Sequence, residues 1–119
     1  MEICGFEIAK KLKEKGFKTE NTNWCYLDGN LVQVKKYINI SPYEYAPTIS
    51  QVLKWLREKK KIHLIVEISD SGWYYTYYSN IRWKGDRLKS DKYFTSFKTN
   101  SSYELAAIAG INYVIDNLI

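Results

Sequence analysis

The chain has 119 residues, 45% of them hydrophobic and 26% charged, which suits one folded domain and argues against intrinsic disorder. The net charge of +5 is concentrated in residues 47–119, which hold eleven basic and seven acidic residues. No stretch approaches the ~20 apolar residues of a membrane span, and the N-terminus lacks the basic region of a signal peptide. We therefore expect a single cytoplasmic domain over 1–119, with a helix and hairpin segment in 1–46 and a core in 47–119, and no membrane partner.

Two cysteines and one histidine bound the metal and redox chemistry of the chain. Cys4, Cys25 and His63 are too few for a zinc site, and the cysteines do not form a disulfide framework. Both thiols are expected to be reduced and at least one to be buried. No metal and no cofactor is expected.

The first predicted element is a helix over residues 3–15. Ile8 and Leu12 lie one turn apart in it, among several lysines. Gly16 stands where a left-handed C-terminal cap belongs, and Phe17 follows as the apolar residue that closes such a cap.

A β-hairpin is predicted after this helix. Apolar runs over 24–27 and 31–37 flank Asp28-Gly29-Asn30, and glycine adopts the positive φ of a hairpin turn without steric cost. Residues 38–47 are predicted to be a connecting segment.

The clearest helix begins after Pro47. Thr48 and Gln51 fit a capping box, in which the two side chains satisfy backbone amides at the helix start. The stripe that follows has the spacing of a core-facing helix surface, with Trp55 beside it: Ile49, Val52, Leu53 and Leu56.

Three antiparallel strands are predicted next, over 61–69, 73–79 and 92–98. The turn between the first two is Ser69-Asp70-Ser71-Gly72, and a basic loop around Gly85-Asp86 precedes the third. Hairpin loops of two or four residues make paired positions sum to an odd number. One face then collects Ile62, Leu64, Val66, Ile68, Trp73, Tyr75 and Tyr77 as core. The reverse face collects His63, Ile65, Glu67, Tyr74, Thr76 and Tyr78. It is either covered by the N-terminal segment or open, and only an open face is a binding surface. A three-residue loop would instead place Tyr74 and Tyr78 in the core and leave Trp73 outside it.

The last helix completes the predicted fold. Ser101 and Glu104 fit a second capping box, and the apolar run from Leu105 to Ile119 predicts burial over most of the circumference. The predicted class is α+β: an antiparallel sheet, made of a β-hairpin plus a three-stranded meander, with helices packed on one face in the order α-β-β-α-β-β-β-α.

Three stretches carry a resemblance that spans nearly the whole chain: EIAKKLKEKGF at the start, PTISQVLKWLREKKKIHLIV in the middle and YELAAIAGINYVIDNLI at the end. They resemble a group of small uncharacterised proteins of Bacteroidetes genomes and their prophages. The group usually opens its last helix with Tyr-Glu-Glu-Ala, where this chain has Tyr103-Glu104-Leu105-Ala106. The resemblance implies a cytoplasmic bacterial protein from accessory or phage-related DNA, and it transfers no site residue.

A second resemblance concerns topology alone. Residues 48–119 follow the order α-β-β-β-α of a double-stranded-RNA-binding domain, a family that grips phosphates with lysines at the start of its second helix. Here that turn, over 99–104, contains Glu104 and no lysine, so the phosphate clamp is missing. Topology by itself does not carry function.

Catalytic signatures are weak throughout the sequence. His63 alternates with the core-facing residues of its strand, and only Glu67 lies near it in sequence, so a structural or surface role is expected. Glycine-rich phosphate loops and nucleophile or metal-binding motifs do not occur.

A non-enzymatic binding module is therefore predicted, with an unidentified protein as the favoured partner. The alternative is a nucleic-acid-binding domain that uses basic loop 82–92. The candidate binding surface is Arg82, Lys84, Arg87, Lys89, Lys92, Tyr74 and Tyr78. A second basic cluster, Arg57, Lys59, Lys60 and Lys61, is also typical of a solvated helix end.

Overall fold

A computed structural model describes residues 3–17, 24–27, 30–33, 44–45, 47–96 and 98–119. These residues form three helices and eight strands, and every pairing between strands is antiparallel. The helices are α1 (Phe6–Glu14), α2 (Ile49–Lys59) and α3 (Tyr103–Asn117). The strands are β1 (Trp24–Leu27), β2 (Asn30–Gln33), β3 (Glu44–Tyr45), β4 (His63–Ser69), β5 (Gly72–Ser79), β6 (Arg82–Lys84), β7 (Arg87–Lys89) and β8 (Lys92–Thr95). The α+β class with antiparallel pairing is confirmed. The chain divides into two compact units, Met1–Ile49 and Ser50–Ile119, and the single domain stays a prediction.

In the first unit, α1 ends as its sequence indicates. Gly16 has φ 92°, and the Phe17 amide donates to the Leu12 carbonyl at 3.0 Å while the Gly16 amide donates to Lys13 at 3.1 Å. This is the Schellman arrangement, and the burial of both Leu12 and Phe17 supplies its apolar contact. The helix begins at Phe6 rather than at residue 3, because Ile3 forms an isolated bridge to Thr48 instead.

The predicted N-terminal hairpin pairs β1 with β2, from Leu27 opposite Asn30 to Trp24 opposite Gln33. Of the predicted turn Asp28-Gly29-Asn30, Asn30 begins β2 instead, while residues 28–29 and the predicted strand residues 34–37 lie outside the described residues. The connecting segment over 38–47 needs a correction, since Glu44–Tyr45 forms β3 on the other edge of β1. The backbone groups of these two residues pair with β1, and nothing in the sequence of so short a segment predicts a strand.

In the second unit, the buried stripe of α2 includes Val52 and Leu56, with Leu53 half-buried at its margin. The turn that follows α2 contains a left-handed residue that is not glycine, Lys61, with φ 58°. The amides of Lys60 and Ile62 both donate to the Leu56 carbonyl, at 3.1 Å and 3.0 Å, and hold this turn.

The central sheet has the order β4-β5-β8, and its register confirms the odd-sum pairing. Leu64 lies opposite Tyr77 and Val66 opposite Tyr75, with a two-residue turn at 70–71. The core side therefore holds four packed rings: Tyr75, Tyr77, Phe94 and Tyr113 of α3. Tyr75 and Tyr77 are therefore core as predicted, whereas Trp73, also predicted to be core, is half-buried.

Four residues of this sheet differ from the predicted burial, and two of them, Val66 and Trp73, are half-buried instead of core. Ile68 lies on the core-side register opposite Trp73, yet 64% of it is exposed. Thr76, on the reverse face, is only 2% exposed, and its hydroxyl lies 3.2 Å from that of Thr95. Register assigns a residue to a face, but burial also depends on how far the packed layer extends along the strand. The reverse face is thus closed at its centre, with Tyr74 and Tyr78 half-buried on either side.

The N-cap of α3 lies one residue later in the chain than predicted. Ser102, not Ser101, is the N-cap, and its Oγ accepts a hydrogen bond from the Leu105 amide at 3.1 Å. The third helical residue is therefore Leu105 and not Glu104, so the predicted capping box is wrong. Burial covers one face of α3 rather than most of its circumference: Ala106, Ala107, Gly110, Ile111, Val114 and Ile115 are buried, while Leu105 is 53% exposed.

The predicted basic loop is also corrected. Residues 82–89 form a β-hairpin, β6–β7, that stands as a separate two-stranded sheet. The third strand of the meander is shorter than predicted, Lys92–Thr95 instead of 92–98, with Phe97 outside the described residues. The order within the second unit is therefore α2-β4-β5-β6-β7-β8-α3.

Candidate functional site

The β6–β7 hairpin separates apolar from basic side chains. Trp83 lies opposite Leu88, so the two share one face, and they are 72% and 59% exposed. Two further opposed pairs, Arg82 with Lys89 and Lys84 with Arg87, lie on the other face. The hairpin thus presents a large exposed apolar pair with four cations on the reverse of the same ribbon.

The sequence forms this hairpin through its two-residue turn. Gly85 has φ 67°, and Asp86 after it is not among the residues with positive φ. Positive φ at the first central residue alone is the pattern of a type II′ turn, whose twist matches that of paired strands. The turn fixes the register that places Trp83 opposite Leu88.

A cluster at the base ties the hairpin to the end of β5. Asp91 accepts hydrogen bonds from the Asn80 side-chain amide and from Arg82, whose Nη1 lies 2.9 Å from Asp91 Oδ1. The same Nη1 donates to the Asn80 carbonyl at 2.9 Å. These hydrogen bonds lower the pKa of the Asp91 carboxyl, and the hydrogen bond from Asn80 has the largest effect. The Arg82 guanidinium is therefore held at the base of the hairpin by its contacts with Asp91 and the Asn80 carbonyl.

A pocket of about 390 Å³ lies beside the hairpin, within the second unit. It is lined by Arg57, His63, Tyr78, Ile81, Leu88, Lys89 and Ser90. No acidic side chain is among these lining residues. Its wall combines two cations with aliphatic and aromatic surface.

His63 forms part of this wall in its neutral state. Burial lowers the pKa of its imidazole, and the positive charge of Arg57 lowers it further. Its Nδ1 atom is buried and has no hydrogen-bond partner among the described residues. Tyr78 lies directly opposite His63 in the sheet, with ring centroids 6.4 Å apart.

The structure brings together only some of the predicted surface residues. Tyr78 and Lys89 both line the pocket, while Lys84 and Arg87 flank the hairpin turn. Tyr74 lies four residues from Tyr78 along β5, and its hydroxyl donates to Glu67 Oε2 at 3.3 Å. Lys92 begins β8 opposite Ser79. The structure thus places Tyr78 and Lys89 at one pocket, and a binding role for the whole set stays a prediction.

Trp83 and Leu88 were missed as candidate residues, and the pocket was not foreseen. A signal for the hairpin exists in the sequence RWKGDRLK, in which one apolar residue sits between basic ones on each side of a glycine-containing pair. That strict alternation has the period of a strand. The pocket has no such signal, because its residues come from positions 57 to 90.

Across the described ranges, no group of three or more His, Cys, Asp or Glu side chains is placed to hold a metal ion. Within the same ranges, no helix has the length and apolar character needed to cross a bilayer. In comparisons with known proteins, no family model, no curated protein and no solved structure matches this chain.

Proposed function

We propose that this protein is a non-enzymatic binding module that engages a protein partner through the β6–β7 hairpin. The observation that carries the proposal is the exposed Trp83–Leu88 pair on a hairpin rich in cations. Tryptophan and arginine are enriched among the residues that dominate protein interfaces, and a contiguous exposed apolar surface often marks such a site.

The charge of the hairpin indicates the character of the partner. Residues 82–91 hold four cations and two acids, Asp86 and Asp91, which gives a net charge of +2. Opposite charges at the rim of an interface steer association and select among partners. We expect a partner segment with an apolar residue for Trp83 and acidic residues around it.

The number of available cations weighs against a nucleic acid as the main partner. The ion pair with Asp91 engages Arg82, which leaves Lys84, Arg87 and Lys89 outside that pair. Three phosphate contacts correspond to a salt slope of about −2.7 and a loss of about 40-fold in affinity between 50 and 200 mM salt. Binding of this kind is weak at physiological salt.

The test is selection of peptides from a random display library against the folded protein, followed by affinity measurement on the enriched peptides. Enrichment of peptides with Asp or Glu beside an apolar residue is expected. Trp83→Ala is expected to weaken their binding about 30-fold, as removal of an interface hot spot does. Leu105→Ala is the matched control, since Leu105 is exposed on α3 outside the hairpin, and it should change affinity less than twofold.

Two outcomes would contradict the proposal. One is a set of enriched peptides whose binding is indifferent to Trp83→Ala. The other is tight, salt-sensitive binding of duplex RNA or single-stranded DNA at ~150 mM salt that Lys84→Glu and Arg87→Glu abolish. The second result would favour the nucleic-acid-binding alternative.

We also propose that the protein is cytoplasmic and is encoded by accessory or phage-related DNA. The resemblance of the three quoted stretches to proteins of Bacteroidetes genomes and prophages supports a cytoplasmic protein from accessory or phage-related DNA. Expression in a Bacteroidetes host and fractionation of the cells would test this, because recovery from the membrane or the medium would contradict it.

A further inference from the structure

We propose that the pocket lined by Arg57, His63, Tyr78 and Lys89 binds a small amphipathic anion, a molecule with a flat apolar body and one carboxylate, sulfonate or phosphate group. This ligand is distinct from the protein partner of the hairpin. The pocket volume of about 390 Å³ lies in the range of small-molecule sites, roughly 300–1,000 Å³.

The apolar part of the wall selects the body of the ligand. Ile81 and Leu88 supply aliphatic surface, and Tyr78 supplies a ring. Burying a flat apolar body against them removes its surface from water, which is favourable by roughly 25 cal/mol per Å². The aromatic wall also favours a planar group in offset stacking or edge contact.

The charged part of the wall selects the sign of the ligand. Arg57 and Lys89 both line the pocket, and no acidic side chain lines it to neutralise them. The positive charge of Arg57 is close enough to His63 to help lower the pKa of the imidazole. His63 therefore adds a neutral ring to the wall, and the two permanent cations remain to attract an anion.

The test is a fluorescence titration of the folded protein with anilinonaphthalene sulfonate, which combines an aromatic body with one anionic group. Saturable binding at one site per chain is expected. Phenylnaphthylamine, the neutral compound without the sulfonate, should bind at least about tenfold more weakly, because it cannot form the charge-assisted hydrogen bonds. Near-UV circular dichroism confirms that the protein is folded, since the dye also binds partly folded states.

Matched variants locate the site. Arg57→Gln and Lys89→Gln should each weaken dye binding about tenfold. Lys59→Gln and Lys84→Gln remove the same charge from the same helix and hairpin outside the pocket, and they should change binding less than twofold. Amide shifts on dye addition are expected at Tyr78, Ile81 and Ser90 in NMR spectra.

Three results would overturn the inference: no saturable binding to folded protein, equal affinity for the neutral compound, or equal losses in the pocket and control variants. Trp83→Ala separates this inference from the proposed function. It should weaken peptide binding at the hairpin about 30-fold and change dye binding less than twofold, because Trp83 does not line the pocket although its partner Leu88 does. Either proposal can therefore fail without the other.

Discussion

Gly110 of α3 lies against the ring of Tyr75 in β5, and a Cβ built on this glycine would be 3.0 Å from Tyr75 Cγ. The same Cβ would be 2.9 Å from Leu64 Cδ1 in β4. A side chain at this position does not fit without movement of a buried neighbour. The absence of a side chain therefore sets how closely α3 approaches the core side of the sheet.

Substitution of Gly110 should destabilise the protein in proportion to the volume added. Gly110→Ala gains about 1 kcal/mol of helix propensity but overpacks the core by about 1–3 kcal/mol, so a net loss of about 1 kcal/mol is expected. Gly110→Val should lose about 3 kcal/mol or more. Urea denaturation measures both, with Ala109→Val on the half-buried neighbour as the control. A Gly110→Val variant as stable as the wild type would show that the helix and sheet are not in close contact.

Gly72 is expected to be less replaceable than Gly85. Gly72 has φ 134°, and a Cβ there would lie 2.7 Å from the Asn100 carbonyl oxygen, which is backbone and cannot turn away. Gly72→Ala should cost about 3 kcal/mol, from both strain and collision. Gly85 also has positive φ but open space around it, so Gly85→Ala should cost only about 1 kcal/mol. Thermal melts compare the two, and equal losses would contradict the contact with Asn100.

The aromatic run of β5 should divide by face in its effect on stability. Tyr77 is 4% exposed and stacks on Phe94 with ring centroids 5.4 Å apart, so Tyr77→Ala should cost about 3–5 kcal/mol. Tyr74 is half-buried on the reverse face, and Tyr74→Ala should cost about 1 kcal/mol. Chemical denaturation of the two variants is the measurement. A loss for Tyr74→Ala as large as that for Tyr77→Ala would mean that both faces are equally packed.

Cys4 should make the stability depend on pH above neutrality. Its thiol is buried and not part of a disulfide, and burial raises its pKa from 9.0 to about 12. The thiol ionises more readily in the unfolded chain than in the folded one. Its contribution to the free energy of unfolding is therefore fully present below pH 9.0 and declines as the pH rises towards 12. Between these values the wild type should lose about 1.4 kcal/mol more per pH unit than Cys4→Ala. Parallel slopes for the two proteins from pH 8.5 to 10.5 would contradict a buried thiol, and reducing agent at neutral pH should leave Tm unchanged in both.

The base of the hairpin should respond to acid. Hydrogen bonds from Asn80 and Arg82 lower the pKa of Asp91 below its usual 3.8. The ionised Asp91 carboxylate therefore stabilises the folded state fully above pH 3.8, and this stabilisation is lost as the pH falls through the lower pKa of the folded state. NMR spectra should show shift changes at Asn80 and Arg82 over this acid range in the wild type and none in Asp91→Asn. An Arg82 signal that is independent of Asp91 would show that the pair does not form in solution.

The sequence by itself determined the elements whose signals are local. The Gly16–Phe17 cap follows from one glycine after an amphipathic stretch, and the buried Val52 and Leu56 follow from helical spacing. The odd-sum register of β4 and β5 follows from a short turn between two alternating runs. Each of these depends on interactions within a few residues or on a periodicity that the chain carries without reference to the rest of the fold.

Only the tertiary structure decided which faces were covered and which residues met. Ile68 and Leu64 have the same side-chain direction in β4, but Ile68 is exposed and Leu64 is buried. The sequence between 57 and 90 gives no sign that Arg57 and Lys89 line the same pocket. These outcomes depend on contacts between residues far apart in the chain, whose geometry is set by the packing of whole elements. Fold class could therefore be predicted from local patterns, whereas the candidate site required the positions of α2, β4, β5 and the hairpin in three dimensions.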